Sequence, residues 1–280
     1  NVILMVWSTS LNGRAVKRRV GKGIARQLVE QLGMVFSYHL QAPWYYTFEL
    51  YDDHHRRQAA EYLQRFETKS GVYRLFKRYL HAKGKGALAD KGRFDERCRQ
   101  HGLRAIPVLA ISEGGAIRFS SGSELPRVDL FLKPTKGRGG AGADWWRRDG
   151  AGSYQSSAGM VLTQAELTAH LAKLSLTEPY LVSPRLENHP DLADLANGAL
   201  STIRIVTIRN ETGGFEATDA VFRMAVGSNT VVDNFHAGGL AADVDMITGE
   251  LGSATDLGLR PDRGWCERHP SGAVIVGRKL

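Results

Sequence analysis

Residues 129–142 read DLFLKPTKGRGGAG, an apolar run that ends at Lys133-Pro134 and opens into a glycine-rich loop. The apolar run predicts a strand over 129–133. Glycines let several backbone N–H groups converge on one phosphate, and Lys133 at the strand end adds a positive charge. The segment therefore predicts an anion-binding loop, although a plain flexible surface loop explains the same residues. It lacks the GxxxxGK(S/T) pattern of a P-loop.

The same loop contains Gly137-x-Gly139-x-x-Gly142, the spacing of a dinucleotide fingerprint. A Rossmann loop opens directly into an apolar helix. Here ADWWRRDG follows over 143–150, which predicts more loop or a hairpin. A Rossmann-like oxidoreductase stays an alternative that requires a helix directly after Gly142.

Strand and helix signals alternate on both sides of this loop. Asp90 is a good N-cap for a helix that Gly102 ends, and Thr163-Gln-Ala-Glu166 is a capping box that opens another. Further segments predict strands at 106–111 and 180–182, a hairpin of 200–209 with 215–226, and a second hairpin of 239–245 with 251 onward.

The first third of the chain is predicted to be helical. Apolar residues recur every four positions and predict one stripe along one helix: Val16, Val20, Ile24, Leu28 and Leu32. Basic residues crowd its other faces, which predicts a solvated basic face: Arg14, Lys17, Arg18, Arg19, Lys22 and Arg26. A second helix begins at Asp52 or Asp53 and buries Ala59, Tyr62, Leu63 and Phe66. A third carries Val72, Leu75, Phe76, Tyr79 and Leu80, and 81–87 reads as a linker.

Composition limits the class of protein. The 280 residues are 42% hydrophobic and 24% charged, which predicts an ordinary globular protein of roughly two domains. The net charge of +8 favours phosphate-bearing partners. No apolar run approaches the length of a transmembrane segment, and Val2–Trp7 is too short for a secretory signal, so we expect a cytoplasmic protein. Cys98 and Cys266 are far apart, which excludes a disulfide scaffold and a cysteine zinc site.

Two further segments carry candidate chemistry. YLVSPRLE, residues 180–187, is a strand that breaks at Pro184 with Glu187 beyond it. Its exposed backbone groups could pair with a purine edge while the carboxylate holds ribose hydroxyls, and an ordinary strand end explains it too. Arg204 and Arg223 lie in two strands of one predicted hairpin, where they could face a shared anion or form a polar outer face.

The order of these motifs resembles the ATP-grasp superfamily, and most closely its sugar-transfer-associated branch, which is related to α-L-glutamate ligases. The resemblance rests on LADKGRF (88–94) with CRQHGL (98–103), on 180–208 with ENHPDL and STIRIVT, on 233–249, and on WYYTFELYD (44–52). It implies an α+β fold in which two α+β lobes clamp ATP after a helical N-terminal region. The implied boundaries are 1–86, 87–182 and 183–280.

The resemblance also implies an activity and a set of site residues. Most ATP-grasp proteins activate a carboxylate as an acyl phosphate that an amine then attacks. Lys91 and Lys133 would contact ATP, and the lid over its phosphates would be formed by Gly137, Gly139, Gly140 and Gly142. Val182, Ser183 and Leu186 would contact adenine, and Glu187, or else Asp191, would hold the ribose. Arg204 and Arg223 would neutralise the transferred phosphoryl group, and Asn234 with Gly238-Gly239 would line the acceptor side.

One part of the family pattern is missing from this sequence. The family holds two Mg²⁺ ions with an Asp and a Glu-x-Asn, and no Glu-x-Asn occurs in the 280 residues. We interpret Asp243 and Asp245 as a hairpin turn and assign no metal ligand. The expectation is a truncated protein, inactive alone, whose metal ligands follow Leu280.

Two classes of function are open from the sequence. The first is an ATP- and Mg²⁺-dependent ligase that joins a small carboxylate to an amine, with sugar or cell-surface precursors as candidate substrates and no nucleic acid as partner. The alternative is a basic protein that binds nucleic acid or a membrane surface without catalysis. That alternative requires the basic residues of 14–26 on one open face and no closed pocket.

Overall fold

The computed structural model describes residues 2–62, 90–137, 139–227, 230–235, 238–256 and 264–280, together with Arg74 and Arg78. The chain forms two compact units. One consists of Asn1–Ala82, Ala241–Arg268 and Val274–Leu280, and the other of Lys83–Leu240 and His269–Ala273. The apolar residues of the predicted third helix and the predicted linker over 81–87 lie outside the described residues.

The N-terminal part of the first unit is helical. Its helices are α1 (Val2–Val20), α2 (Ile24–Tyr38), α3 (Ala42–Thr47) and α4 (Asp53–Arg57), followed by a 3₁₀ turn at Ala59–Glu61. The prediction of one helix through 16–32 is wrong, because Gly21 adopts φ +72° and ends α1. None of the helices in the described part of the chain combines the length and apolar character that a bilayer crossing requires.

The face of α2 that packs inward is polar. Gln27 and Gln31 are fully buried, whereas Val20 and Leu32 of the predicted stripe remain 46% and 39% exposed. Gln27 Nε2 donates to Gly13 O at 3.0 Å, and Tyr46 Oη donates to Gln27 Oε1 at 2.9 Å. These hydrogen bonds compensate the burial of the glutamines, except at Gln31 Oε1, and of the five residues of the predicted stripe Val16 alone is buried.

An aromatic cluster packs beneath these helices. Its buried members are Val16, Leu40, Tyr45, Tyr46, Leu50, Tyr51 and Ala59. Asp52 caps α4 as predicted, since its carboxylate accepts from His54 N at 2.8 Å. The helix is shorter than predicted and ends at Arg57. Leu63 and Phe66 lie outside the described residues.

The second unit is built on an antiparallel sheet of seven strands in the order β2-β1-β7-β3-β4-β5-β6. The strands are β1 (Ala110–Glu113), β2 (Ala116–Phe119), β3 (Leu130–Pro134), β4 (Asp144–Arg148), β5 (Tyr154–Ser156), β6 (Val161–Leu162) and β7 (Tyr180–Pro184). The strand predicted at 106–111 begins later than expected, at Ala110. Strand β4 follows the glycine loop without a helix, so the Rossmann alternative is wrong.

Two helices flank this sheet, and both begin where the sequence predicts. Helix α5 (Lys91–Gln100) is capped by Asp90, which accepts from Gly92 N at 3.0 Å. Helix α6 (Gln164–Leu174) opens with the predicted capping box. Leu167 and Leu171 of α6 pack into a core whose other members include Leu130, Leu132, Trp146, Tyr154 and Val182. This core holds the ends of β3 and β7 in fixed register.

Two hairpins complete the described chain. The first pairs β8 (Thr202–Arg209) with β9 (Phe215–Met224), and the second pairs β10 (Leu240–Val244) with β11 (Leu251–Thr255). Asp245 accepts from Ile247 N at 2.9 Å and Thr248 N at 2.6 Å, which confirms the interpretation of this segment as a turn. Residues 274–280 form only isolated bridges and a turn. Helices with antiparallel sheets make the fold α+β.

Candidate functional site

A cavity of about 380 Å³ lies within the unit formed by Lys83–Leu240. Its walls come from the end of β3, the glycine loop, the end of β7, the face of the β8–β9 hairpin and the segment 230–234. The cavity brings together these predicted site residues: Lys91, Lys133, Gly137, Gly139, Gly140, Ser183, Leu186, Arg204, Arg223 and Asn234. The remaining ones are not part of its wall: Gly142, Val182, Glu187, Asp191, Gly238 and Gly239.

Two lysines lie at the end of β3. Lys91 Nζ donates to Pro134 O at 2.7 Å and to Thr135 O at 3.3 Å, which anchors it beside the strand end. Lys133 makes no hydrogen bond or ion pair with any described residue, and its Nζ lies 5.9 Å from the Phe131 ring centroid. Burial, and then the charge of Lys91, lower the pKa of Lys133. An anion in the cavity would stabilise both ammonium groups.

The glycine loop follows β3 directly. Gly137, Gly139, Gly140 and Gly142 all have positive φ, between +72° and +128°. A Cβ on Gly140 would lie 2.7 Å from Val232 Cγ1, so this close approach requires glycine. Gly142 is outside the wall, but a Cβ there would lie 2.9 Å from Tyr180 Oη. The loop thus places backbone that carries no side chains at the cavity wall.

The two arginines share one face of the β8–β9 hairpin. Thr202 pairs with Arg223 and Arg204 with Val221, which places Arg204 diagonally across from Arg223. Arg204 is exposed and makes no hydrogen bond or ion pair within the described parts of the chain. The hairpin therefore presents two guanidinium groups to the same space, as predicted for a shared anion.

A buried carboxylate to which the sequence analysis assigned no role holds Arg223. Asp233 is 5% exposed, and its Oδ1 accepts from Arg223 Nη2 at 2.8 Å. Thr202 Oγ1 donates to Asp233 Oδ2 and accepts from Arg223 Nε at 3.1 Å. The side chains of Asp233 and Thr202 together fix the guanidinium in place. The only sequence signal was the position of Asp233 directly before the predicted Asn234.

The end of β7 forms the opposite wall. Ser183 and Leu186 line it, whereas Val182 is fully buried in the core. Glu187 and Asp191, the candidates for ribose, are both exposed and lie outside this wall. The positions of Glu187 and Asp191 therefore do not support a contact between either carboxylate and a ribose in the cavity.

Arg185 and Trp145 were not predicted, and both line the cavity. The Arg185 guanidinium lies 4.4 Å from the Trp145 ring centroid, and its Nη2 donates to Gly198 O at 3.4 Å. Trp145 Nε1 donates to Thr230 O at 3.0 Å. Arginine and tryptophan together give this wall a flat, rigid surface next to the strand end.

The described residues do not form a magnesium site. No group of three or more His, Cys, Asp or Glu side chains among them could hold a metal ion. The one carboxylate of the cavity wall, Asp233, is already bound by Arg223 and Thr202. We therefore assign no metal ligand and derive no chemistry from a metal here.

Comparison with known proteins gives one match. A family model described as sugar-transfer associated ATP-grasp matches residues 73–274, a range that includes every residue of the cavity wall. No curated protein and no solved structure matches the chain. The match confirms the resemblance found in the sequence motifs. The chain belongs to the sugar-transfer associated ATP-grasp family.

Proposed function

We propose that the cavity binds ATP, with the triphosphate between the glycine loop and the β8–β9 hairpin. The observation that carries this proposal is the pair of cations, Lys133 and Arg204, that line the cavity without a partner among the described residues. A half-buried cation is normally paired, so the unpaired Lys133, in the same wall as the exposed Arg204, favours a polyanionic ligand. The positive-φ glycines add backbone N–H groups on the same side.

The base would lie at the end of β7. Val182 O already accepts from Leu109 N at 2.8 Å, so it offers nothing to a ligand. In an extended strand alternate carbonyls point to the same side, so the Pro184 carbonyl points to the same side as the Val182 carbonyl. Strand β1 begins at Ala110, opposite Val182, so no residue of β1 faces the Pro184 carbonyl. We assign the exocyclic amino group of adenine to the Pro184 carbonyl, and a ring nitrogen to Leu186 N–H.

The proposed reaction is a carboxylate–amine ligation. A substrate carboxylate oxygen attacks the γ-phosphorus, ADP leaves, and an acyl phosphate forms. An amine then attacks the acyl carbon and releases phosphate. Arg204 and Arg223 would donate to the transferred phosphoryl oxygens, where fixed donors stabilise developing charge. Asn234 would contact the acceptor. The family description supports a sugar-linked carboxylate or amine, and we propose a cytoplasmic reaction on such a precursor.

A phosphate-release assay tests this reaction. The complete protein is incubated with ATP, a panel of amino acids and sugar acids, and an amine donor. We expect release that depends on one carboxylate and one amine, and a loss of roughly 100-fold in Arg204→Met. Arg209→Met, on the same strand but outside the cavity wall, is the matched control and should keep its rate. Phosphate release that depends on none of the carboxylates, or equal rates in the two variants, would overturn the ligase proposal.

A further inference from the structure

Helix α1 exposes a stripe of residues that is apolar toward its N-terminus and basic toward its C-terminus. The stripe consists of Ile3, Trp7, Leu11, Arg14 and Arg18, whose spacings of four, four, three and four residues place them on one helix face. Ile3 is 85% exposed, Trp7 56% and Leu11 50%. The N-terminal half of the stripe is thus apolar and the C-terminal half basic.

The opposite face of α1 packs against the rest of this unit. Its buried residues are Ser8, Thr9, Gly13, Ala15 and Val16, so small and polar side chains lie inside while large apolar ones face outward. Exposed Val6, at 59%, extends the apolar half of the stripe. A contiguous exposed apolar patch that includes a tryptophan is typical of an interaction surface.

Two cations of α1 beside this patch have no acidic partner among the described residues. Helix α1 contains no Asp or Glu, and Arg14 and Lys17 form no ion pair with any described residue. The other basic residues nearby are used within the unit. Arg19 pairs with Glu49 at 3.3 Å, and Lys22, whose side chain is only 9% exposed, pairs with Glu30 at 3.0 Å. Arg14 and Lys17 are by contrast exposed and have no acidic partner among the described residues.

We propose that α1 docks on an anionic lipid surface. The apolar half would enter the boundary between headgroups and acyl chains, with Trp7 at the interface, while Arg14 and Lys17 would contact lipid phosphates. Peripheral anchoring combines such an apolar insertion with a basic patch. This surface lies outside the family match, which begins at residue 73, and is independent of the proposed ligase site.

The composition of the stripe favours lipid over two other partners. A second copy of the chain would bring the same arginines and Lys17 against their like-charged counterparts. A nucleic acid would engage the basic half and leave the apolar half in water, and α1 has only Trp7 as a stacking group. An anionic membrane satisfies both halves at once.

Vesicle co-sedimentation of the full chain tests this proposal. We expect binding to phosphatidylcholine vesicles that contain phosphatidylglycerol, little binding to phosphatidylcholine alone, and weakening with salt. Each basic residue near an anionic surface contributes about fivefold, so Arg14→Gln with Lys17→Gln should weaken binding roughly 25-fold. Ile3→Ser with Trp7→Ser should weaken it at least tenfold.

Matched variants keep the test specific. Arg97→Gln with Arg104→Gln removes two exposed cations elsewhere, and Met246→Ser with Ile247→Ser removes two apolar side chains that are 46% and 95% exposed. Both controls should bind like the unaltered chain. Equal binding to neutral and anionic vesicles, losses as large in the controls, sub-micromolar binding of duplex DNA through the same residues, or a dimer abolished by Ile3→Ser with Trp7→Ser would each overturn the lipid assignment.

Discussion

In the helical region the polar side chains hydrogen-bond to one another, whereas the cavity wall contains two cations that have no partner among the described residues. Gln27, Gln31 and Tyr46 hydrogen-bond among themselves, and of this network Gln31 Oε1 alone has no described partner. In the cavity, Lys133 and Arg204 have neither hydrogen bond nor ion pair among the described residues. A satisfied polar cluster stabilises a fold, whereas an unsatisfied pair of cations indicates a ligand.

The largest expected effect concerns Arg223, a cavity cation that is paired with a buried carboxylate. Asp233→Ala leaves Arg223, whose side chain is only 16% exposed, without its carboxylate. Breaking such a buried pair should lower the free energy of unfolding by about 3 kcal/mol, measured by urea denaturation. Glu250→Ala removes the partner of Lys279 in an exposed pair and should cost less than about 1 kcal/mol. A loss below about 1 kcal/mol for Asp233→Ala would contradict a structural role for this carboxylate.

The polar network of the helices should matter for stability alone. Tyr46→Phe removes the hydroxyl that donates to Gln27 Oε1 at 2.9 Å and should cost about 1–2 kcal/mol in the free energy of unfolding. ATP affinity should stay unchanged. Ser10→Ala removes an exposed hydroxyl that donates to Trp7 O and serves as the control with a negligible cost. A change in ATP affinity in Tyr46→Phe would contradict the prediction that the helical network contributes to stability alone.

The smallest effect is a pH dependence of ATP affinity. Burial and the charge of Lys91 lower the pKa of Lys133 from its ordinary value of 10.5. An anion binds the protonated ammonium, so this contribution is complete below the lowered pKa and is lost as pH rises through it. Affinity should therefore decline by up to about tenfold before pH 10.5 is reached.

Lys133→Arg provides the control for this pH dependence, since a guanidinium keeps its charge throughout. ATP titrations at several pH values should show that the affinity of Lys133→Arg declines much less with rising pH than that of the unaltered chain. The same decline in Lys133→Arg and in the unaltered chain would mean that another group titrates.

The sequence predicted those features of the fold that depend on local signals. Asp90, the capping box at Thr163 and the turn at Asp245 act through hydrogen bonds to residues two or three positions away, so single segments of sequence determine them. The break in the first helix was not predicted, although Gly21 is a local cause of it. The burial of Gln27 and Gln31 could not be predicted, because their partners Gly13, Thr9 and Tyr46 are distant in sequence.

The same distinction applies to the cavity. Lys133 and the glycine loop were predicted because they are neighbours in the chain. The link of Asp233 to Arg223 and Thr202 depends on the register of β8 and β9 and on the path of the chain after β9. The burial of Val182 likewise depends on its position between β1 and β3, which the sequence pattern did not specify.

Calorimetric titration of ATP into the unaltered chain, Lys133→Met and Lys173→Met tests the central claim most directly. Lys173 is an exposed lysine of α6 outside the cavity wall and is the matched control. We predict that Lys173→Met binds like the unaltered chain and that Lys133→Met binds roughly 10–100-fold more weakly, since it loses a charged contact to the phosphates. A folded Lys133→Met that binds ATP as tightly as the unaltered chain would contradict the assignment of this cavity as the nucleotide site.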